Sequence, residues 1–236
     1  MTRITHAAFA AFAVLALASA PARADFDSDI KACQGSPDEG VAWQDSIDGC
    51  TGAIQSGKLA ADSLPTAYYY RGIGYDSLEQ YARAKTDYTE AIRLKPDYED
   101  AYVNRGTDYD NLKDFNSAIA DYDKAIKLKP DDQMAWFNRA NSYRHLGDNK
   151  RALPDYDQAL KLNPKDGDAF SNRGNAHRDL HQYKEAMADY ASALAIDPKH
   201  AKAYYGRSLA ERAMGDTNSA DADLAKARAL QPDIGK

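Results

Sequence analysis

The stretch AYVNRGTDYD (residues 101–110) returns in altered form as AWFNRANSYR at 135–144 and AFSNRGNAHR at 169–178. Looser copies stand at AYYYRGIGYD (67–76) and AYYGRSLAER (203–212), and each start follows the last by 34 residues. A phrase kept in phase five times describes a repeat, so the chain is best read in columns.

Blocks beginning at Pro65, Glu99, Gln133, Gly167 and Ala201 align without a gap. The third place is always alanine (Ala67, Ala101, Ala135, Ala169, Ala203) and the fourth is aromatic (Tyr68, Tyr102, Trp136, Phe170, Tyr204). The eighth is small: Gly72, Gly106, Ala140, Gly174, Ser208. Alanine recurs at the twentieth and twenty-seventh places, and between them stand Tyr88, Tyr122, Tyr156, Tyr190 and Leu224. Proline follows at Pro96, Pro130, Pro164, Pro198 and Pro232. At about 100° per residue, places four, eight and eleven share one helical face, and places twenty, twenty-four and twenty-seven share another. Each block therefore reads as two helices packed through small residues and an aromatic, stopped by its proline. Pro154, inside the third block's second helix, removes one hydrogen bond and predicts a local kink unless that helix starts late.

These positions resemble the tetratricopeptide repeat over residues 65–234, in five copies: 65–98, 99–132, 133–166, 167–200 and 201–234. The resemblance implies an all-α fold, a right-handed superhelical solenoid of helix-turn-helix repeats with a concave groove. The last block agrees independently. Its twenty-first and twenty-eighth places are Asp221 and Arg228, where interior blocks carry Ile119, Leu153, Met187, Ile126 and Leu160. A terminal repeat has no neighbour to cover that face, so it is polar. Residues 25–64 read as an imperfect opening hairpin: Phe26, Ile30 and Cys33 have helical spacing, GSPDEG is a turn, and Trp43, Ile47, Cys50 and Ile54 have helical spacing again.

Two polar columns are candidates for work beyond packing. Arginine fills the seventh place of every block (Arg71, Arg105, Arg139, Arg173, Arg207), and aspartate the twenty-third (Asp87, Asp121, Asp155, Asp189, Asp223). A ladder of structural ion pairs accounts for both, because each partner satisfies the other's poorly solvated charge. Which aspartate each arginine meets stays open. Asn104, Asn138 and Asn172 occupy the sixth place, roughly 160° from the core aromatic. Asn141 and Asn175 follow three residues on, and Arg144, Arg178 and Arg212 three further. In the family that side lines the groove, and an asparagine ladder there resembles the one in the repeat domain of the O-linked N-acetylglucosamine transferase, which holds a peptide backbone. The resemblance implies a peptide-binding groove made of these eight residues, with Tyr69, Phe137 and Tyr205 adding apolar contact.

Residues 1–24 have a basic start, a short apolar run and the small-residue end Ala22-Arg23-Ala24, the layout of a cleavable secretory signal with cleavage after Ala24. A periplasmic or secreted protein is the expectation. Without Arg3 and Arg23 the chain keeps 28 basic residues against 36 acidic ones. That balance argues against nucleic acid or an anionic membrane surface as partner. Its two cysteines, Cys33 and Cys50, both precede the repeats. They can form a disulfide in an oxidising compartment or remain two small buried thiols. Export favours the disulfide.

No catalytic constellation is singled out, and no cofactor is called for. His177 and His181 are four apart, yet His177 fills a slot held by Tyr75, Tyr109 and Tyr143, and no third ligand is placed to join them in a metal site. The expectation is a non-enzymatic scaffold or adaptor of the bacterial envelope that binds an extended segment of another protein. The alternative is a structural protein that self-assembles through its repeats into a homo-oligomer.

Overall fold

The computed structural model describes residues 31–35, 38 and 40–236, so the expected signal segment lies outside the described residues. Helical residues 31–33 precede α1 (Trp43–Ser56). Five helical hairpins follow. They are α2 (Leu64–Ser77) with α3 (Tyr81–Leu94), α4 (Glu99–Asn111) with α5 (Phe115–Leu128), and α6 (Gln133–His145) with α7 (Asn149–Leu162). The last two are α8 (Gly167–Asp179) with α9 (Tyr183–Ile196), and α10 (Ala201–Ala213) with α11 (Thr217–Leu230). No described helix is long and apolar enough to cross a membrane.

The columns explain the boundaries. Every second helix ends just before the residue preceding its proline, and that residue is extended: Lys95, Lys129, Asn163, Asp197 and Gln231 have ψ of 88, 88, 90, 100 and 97°. A following proline drives its neighbour out of the helical region, so the stop is steric. Aspartate caps several starts. Asp114, Asp148 and Asp216 accept the amide N–H groups of Ser117, Arg151 and Ser219, satisfying donors that a helix leaves unpaired. The helix carrying Pro154 starts in register at Asn149 and runs to Leu162, as long as its counterparts.

The core is built of alanine and tyrosine. Tyr88, Tyr122, Tyr156 and Tyr190 have no exposed surface, and neither do the alanines at places twenty and twenty-seven. A side-chain carbon added at Gly106 would lie 2.7 Å from the Tyr122 ring. The small eighth place thus lets α4 settle on the tyrosine of α5. Between repeats, Ala101 packs with Ala91 and Ile92, and Ala135 packs with Ala125 and Ile126. At the far end Asp221 and Arg228 are exposed. At the near end Cys33 and Cys50 are joined in a disulfide that packs on Ala67 of α2.

Candidate functional site

The arginines meet the aspartates of their own blocks. Nε and Nη2 of Arg71, Arg105, Arg139 and Arg173 donate to both carboxylate oxygens of Asp87, Asp121, Asp155 and Asp189 over 2.6–2.9 Å. Arg207 does the same to Asp223. The remaining nitrogen reaches back to the preceding hairpin: Arg105 Nη1 donates to Thr89, and Arg173 Nη1 to Asp157 at 2.6 Å. Each guanidinium also lies over the fourth-place ring of its block, Trp136 being nearest to its arginine at 4.9 Å. In the first four blocks one side chain therefore joins three helices, and in the last Arg207 joins two.

A depression of about 590 Å³ is lined by residues of α4, α6, α8 and α10, joined by Phe115 of α5 and by Ile234. Of the expected groove residues it gathers Asn141, Arg144, Asn172, Asn175 and Arg178. Three others stand elsewhere. Asn104 donates to the Tyr69 hydroxyl at 3.2 Å, and Asn138 is half-buried outside the depression. Arg212 is exposed and turns to Asp221 of the last described helix. Of the fifth-place rings only Tyr205 lines the depression. The Tyr69 ring lies tilted against that of Tyr98 at 4.8 Å, and Phe137 meets Tyr156 edge-on.

The asparagines do less facing and more holding than their spacing suggests. Tyr156 donates its hydroxyl to Asn141 Oδ1 at 2.6 Å, and Tyr190 donates to Asn175 Oδ1 at 2.9 Å. Asn172 Nδ2 donates to that same Asn141 oxygen at 3.0 Å. A buried tyrosine needs a partner, and the ninth-place amide oxygen supplies it from the groove floor. In the second block Tyr122 donates instead to Asp110, which also accepts from Ser142 at 2.7 Å. Among the described residues the Asn141 and Asn175 Nδ2 groups donate to no protein acceptor and remain available.

Positive charge in the depression comes from Arg144, Arg178 and Lys202, set against the single acid Asp110 in its lining. Arg178 is partly committed to Asp179 and Asn175. Arg144 Nε is buried and donates to nothing. Burial, and then Arg144, hold the His145 imidazole below its ordinary value, and its ring stacks on Phe115 at 5.0 Å. Lys202, Phe115, His145, Leu209 and Ile234 were not signalled by the columns, because each is singular to its block. His177 and His181 do not meet a common ligand: His177 Nδ1 lies 2.7 Å from Gln182, and His181 Nδ1 lies 2.8 Å from Tyr183. No candidate metal cluster occurs among the described residues.

Family models described as tetratricopeptide repeat match residues 65–98, 99–132, 134–166 and 167–200. No curated protein matches by sequence. Among solved structures, a tetratricopeptide repeat protein from Parabacteroides merdae superposes with a TM-score of 0.75 at 20% identity, covering 87% of this chain and 79% of that one. MamA from Desulfovibrio magneticus gives 0.67 at 20% identity, covering 73% and 97%. YrrB, described as a TPR protein with an unusual peptide-binding site, gives 0.65 at 24% identity, covering 80% and 95%.

Proposed function

Because the chain belongs to the tetratricopeptide repeat family, whose members generally mediate protein–protein interaction, we propose that it is an exported, non-enzymatic adaptor. Its groove takes an extended peptide segment of a partner protein, with acidic side chains seated over α6, α8 and α10. The observation that carries this reading is the meeting of Arg144, Arg178 and Lys202 with the Asn141, Asn172 and Asn175 amides around one depression. Amides suit peptide bonds, each of which offers one donor and one acceptor whatever the side chain. Three cations in a chain of net charge −6 suit carboxylates. Export is supported by the leader-like residues 1–24 and by the Cys33–Cys50 bond, which suits an oxidising compartment. End-to-end self-assembly finds less support, since the last helix exposes Asp221 and Arg228 where a stacking face would be apolar.

The test is selection of displayed peptides on the purified protein, repeated with an Arg144→Gln, Arg178→Gln, Lys202→Gln variant that melts like wild type. Wild type is expected to enrich extended acidic peptides, with binding weakened by salt, and the variant to lose that enrichment. Equal enrichment by both proteins would place recognition outside the groove.

A further inference from the structure

Two contacts of the second repeat differ from the same contacts of the third in a way that involves protons. In the third repeat, Ser142 of α6 donates to Asp110, thirty-two residues earlier on α4. The same register, one repeat back, brings Asp108 of α4 to Asp76 of α2. Where the third repeat has a donor, the second has an acid. The other end of α4 repeats the substitution. Gln133 Nε2 donates to Asp166 at 2.8 Å, thirty-three residues on. One repeat back, the same contact joins Glu99 to Asp132. Again an acid replaces a donor.

The surroundings leave the buried oxygens of these acids without a donor. Asp108 has no exposed surface, and neither of its side-chain oxygens meets a donor; Glu99 Oε1 is likewise buried without one. Two facing carboxylates repel, whereas a carboxyl and a carboxylate form a short hydrogen bond. Around Asp108 stand Asp76 from α2, and Lys85, Tyr81 and Tyr88 from α3. Lys85 is drawn aside, its Nζ lying 5.1 Å from the Tyr109 ring. From the other side, Tyr122 of α5 and Ser142 of α6 turn to Asp110 instead. Around Glu99 stand Asp132, Asp100 and Lys129, with Lys129 Nζ at 3.9 Å and half exposed. Asp132 is already an acceptor, taking the Met134 amide N–H at the start of α6, so the proton belongs to Glu99.

We propose that the second repeat is a proton-dependent joint of the solenoid, in which α4 is held to α2 by a proton shared between Asp108 and Asp76 and to the cap of α6 by one shared between Glu99 and Asp132. Loss of the two protons sets like charges against each other at both ends of one helix. That helix also carries Asp110 into the groove, so the joint and the binding surface share an element. Burial first, then the facing Asp76, pushes the Asp108 carboxyl up to about 8. Burial and Asp132 do the same for Glu99. A raised folded-state value means that the unfolded chain binds fewer protons between the ordinary carboxyl range near ~4 and that value. The stability these contacts contribute is whole below that window and lost as pH rises toward 8.

The full-length mature protein, labelled with carbon-13 at Asp and Glu carboxyls, is titrated by NMR from pH 4 to pH 9. The Asp108 and Glu99 resonances are expected to titrate above pH 6, and midpoints near 4 for both would overturn the proposal. In parallel, melting temperatures at about pH 5 and pH 8.5 are compared for wild type and an Asp108→Asn, Glu99→Gln variant, which installs permanent donors as the third repeat does. Wild type is expected to lose stability on going to the higher pH, and the variant to lose at most half as much. Equal losses would also sink it.

Discussion

Arg105 is held from several sides: by the Asp121 carboxylate through two nitrogens, by Thr89 through a third, and by the Tyr102 ring at 5.6 Å. Its partner Asp121 is 6% exposed, so removing the guanidinium strands a charge that water barely reaches. Arg105→Ala is therefore expected to destabilise the protein by about 1–3 kcal/mol. Arg212→Ala, which breaks an exposed pair with Asp221, should stay within about 0.5 kcal/mol. Urea unfolding of both variants checks the contrast, and equal losses would remove the distinction between buried and exposed arginines. The two ladder columns were legible because all five copies keep both residues; which carboxylate each arginine meets needed coordinates. Asn141 and Asn175 were misread in part. They occur in the blocks whose buried tyrosines, Tyr156 and Tyr190, need an amide oxygen, while Ile73 stands in the block where the Tyr88 hydroxyl lacks a hydrogen bond. That covariation lay in the columns, but exposure alone was assigned to the asparagines, so their structural half went unseen.

Helix spans followed from period and proline, but the turns inside the hairpins did not. Between first and second helices the fifteenth place is always left-handed: Glu79, Lys113, Gly147, His181 and Gly215 have φ of 58, 62, 77, 60 and 89°. Glycine does this freely and other residues at a cost. Only two blocks carry the glycine that would have signalled it. Lys113→Gly should raise stability by up to about 1 kcal/mol, because relief of the strained turn outweighs the added freedom of the unfolded chain. Gly147→Ala should lower it by a similar amount. Denaturant midpoints decide both, and a Lys113→Gly loss larger than that of Gly147→Ala would mean that the lysine side chain, not the backbone, sets the turn. Pro154 lies inside α7, which nonetheless spans Asn149–Leu162, as long as its counterparts, with Tyr156 and Ala159 fully buried.

At the scale of the molecule, each hairpin packs on its neighbours in sequence, so a disturbance at one end fades along the array instead of unfolding it at once. The two ends are finished differently. The last described helix is polar outside, whereas at the other end Cys33 and Cys50, 17 residues apart, are cross-linked and packed with Ile54, Leu59 and Tyr70. Closing a loop of that size contributes on the order of 3 kcal/mol, and that contribution is local to residues the bond constrains. Reduction of the purified protein should therefore increase amide exchange in α1 and α2 while leaving α8 through α11 protected. Hydrogen exchange followed by mass spectrometry, with and without reductant, resolves the gradient. If protection falls equally from α1 to α11, the solenoid unfolds as one unit and the disulfide stabilises all of it. If nothing changes in α1, that helix is held by its apolar packing alone.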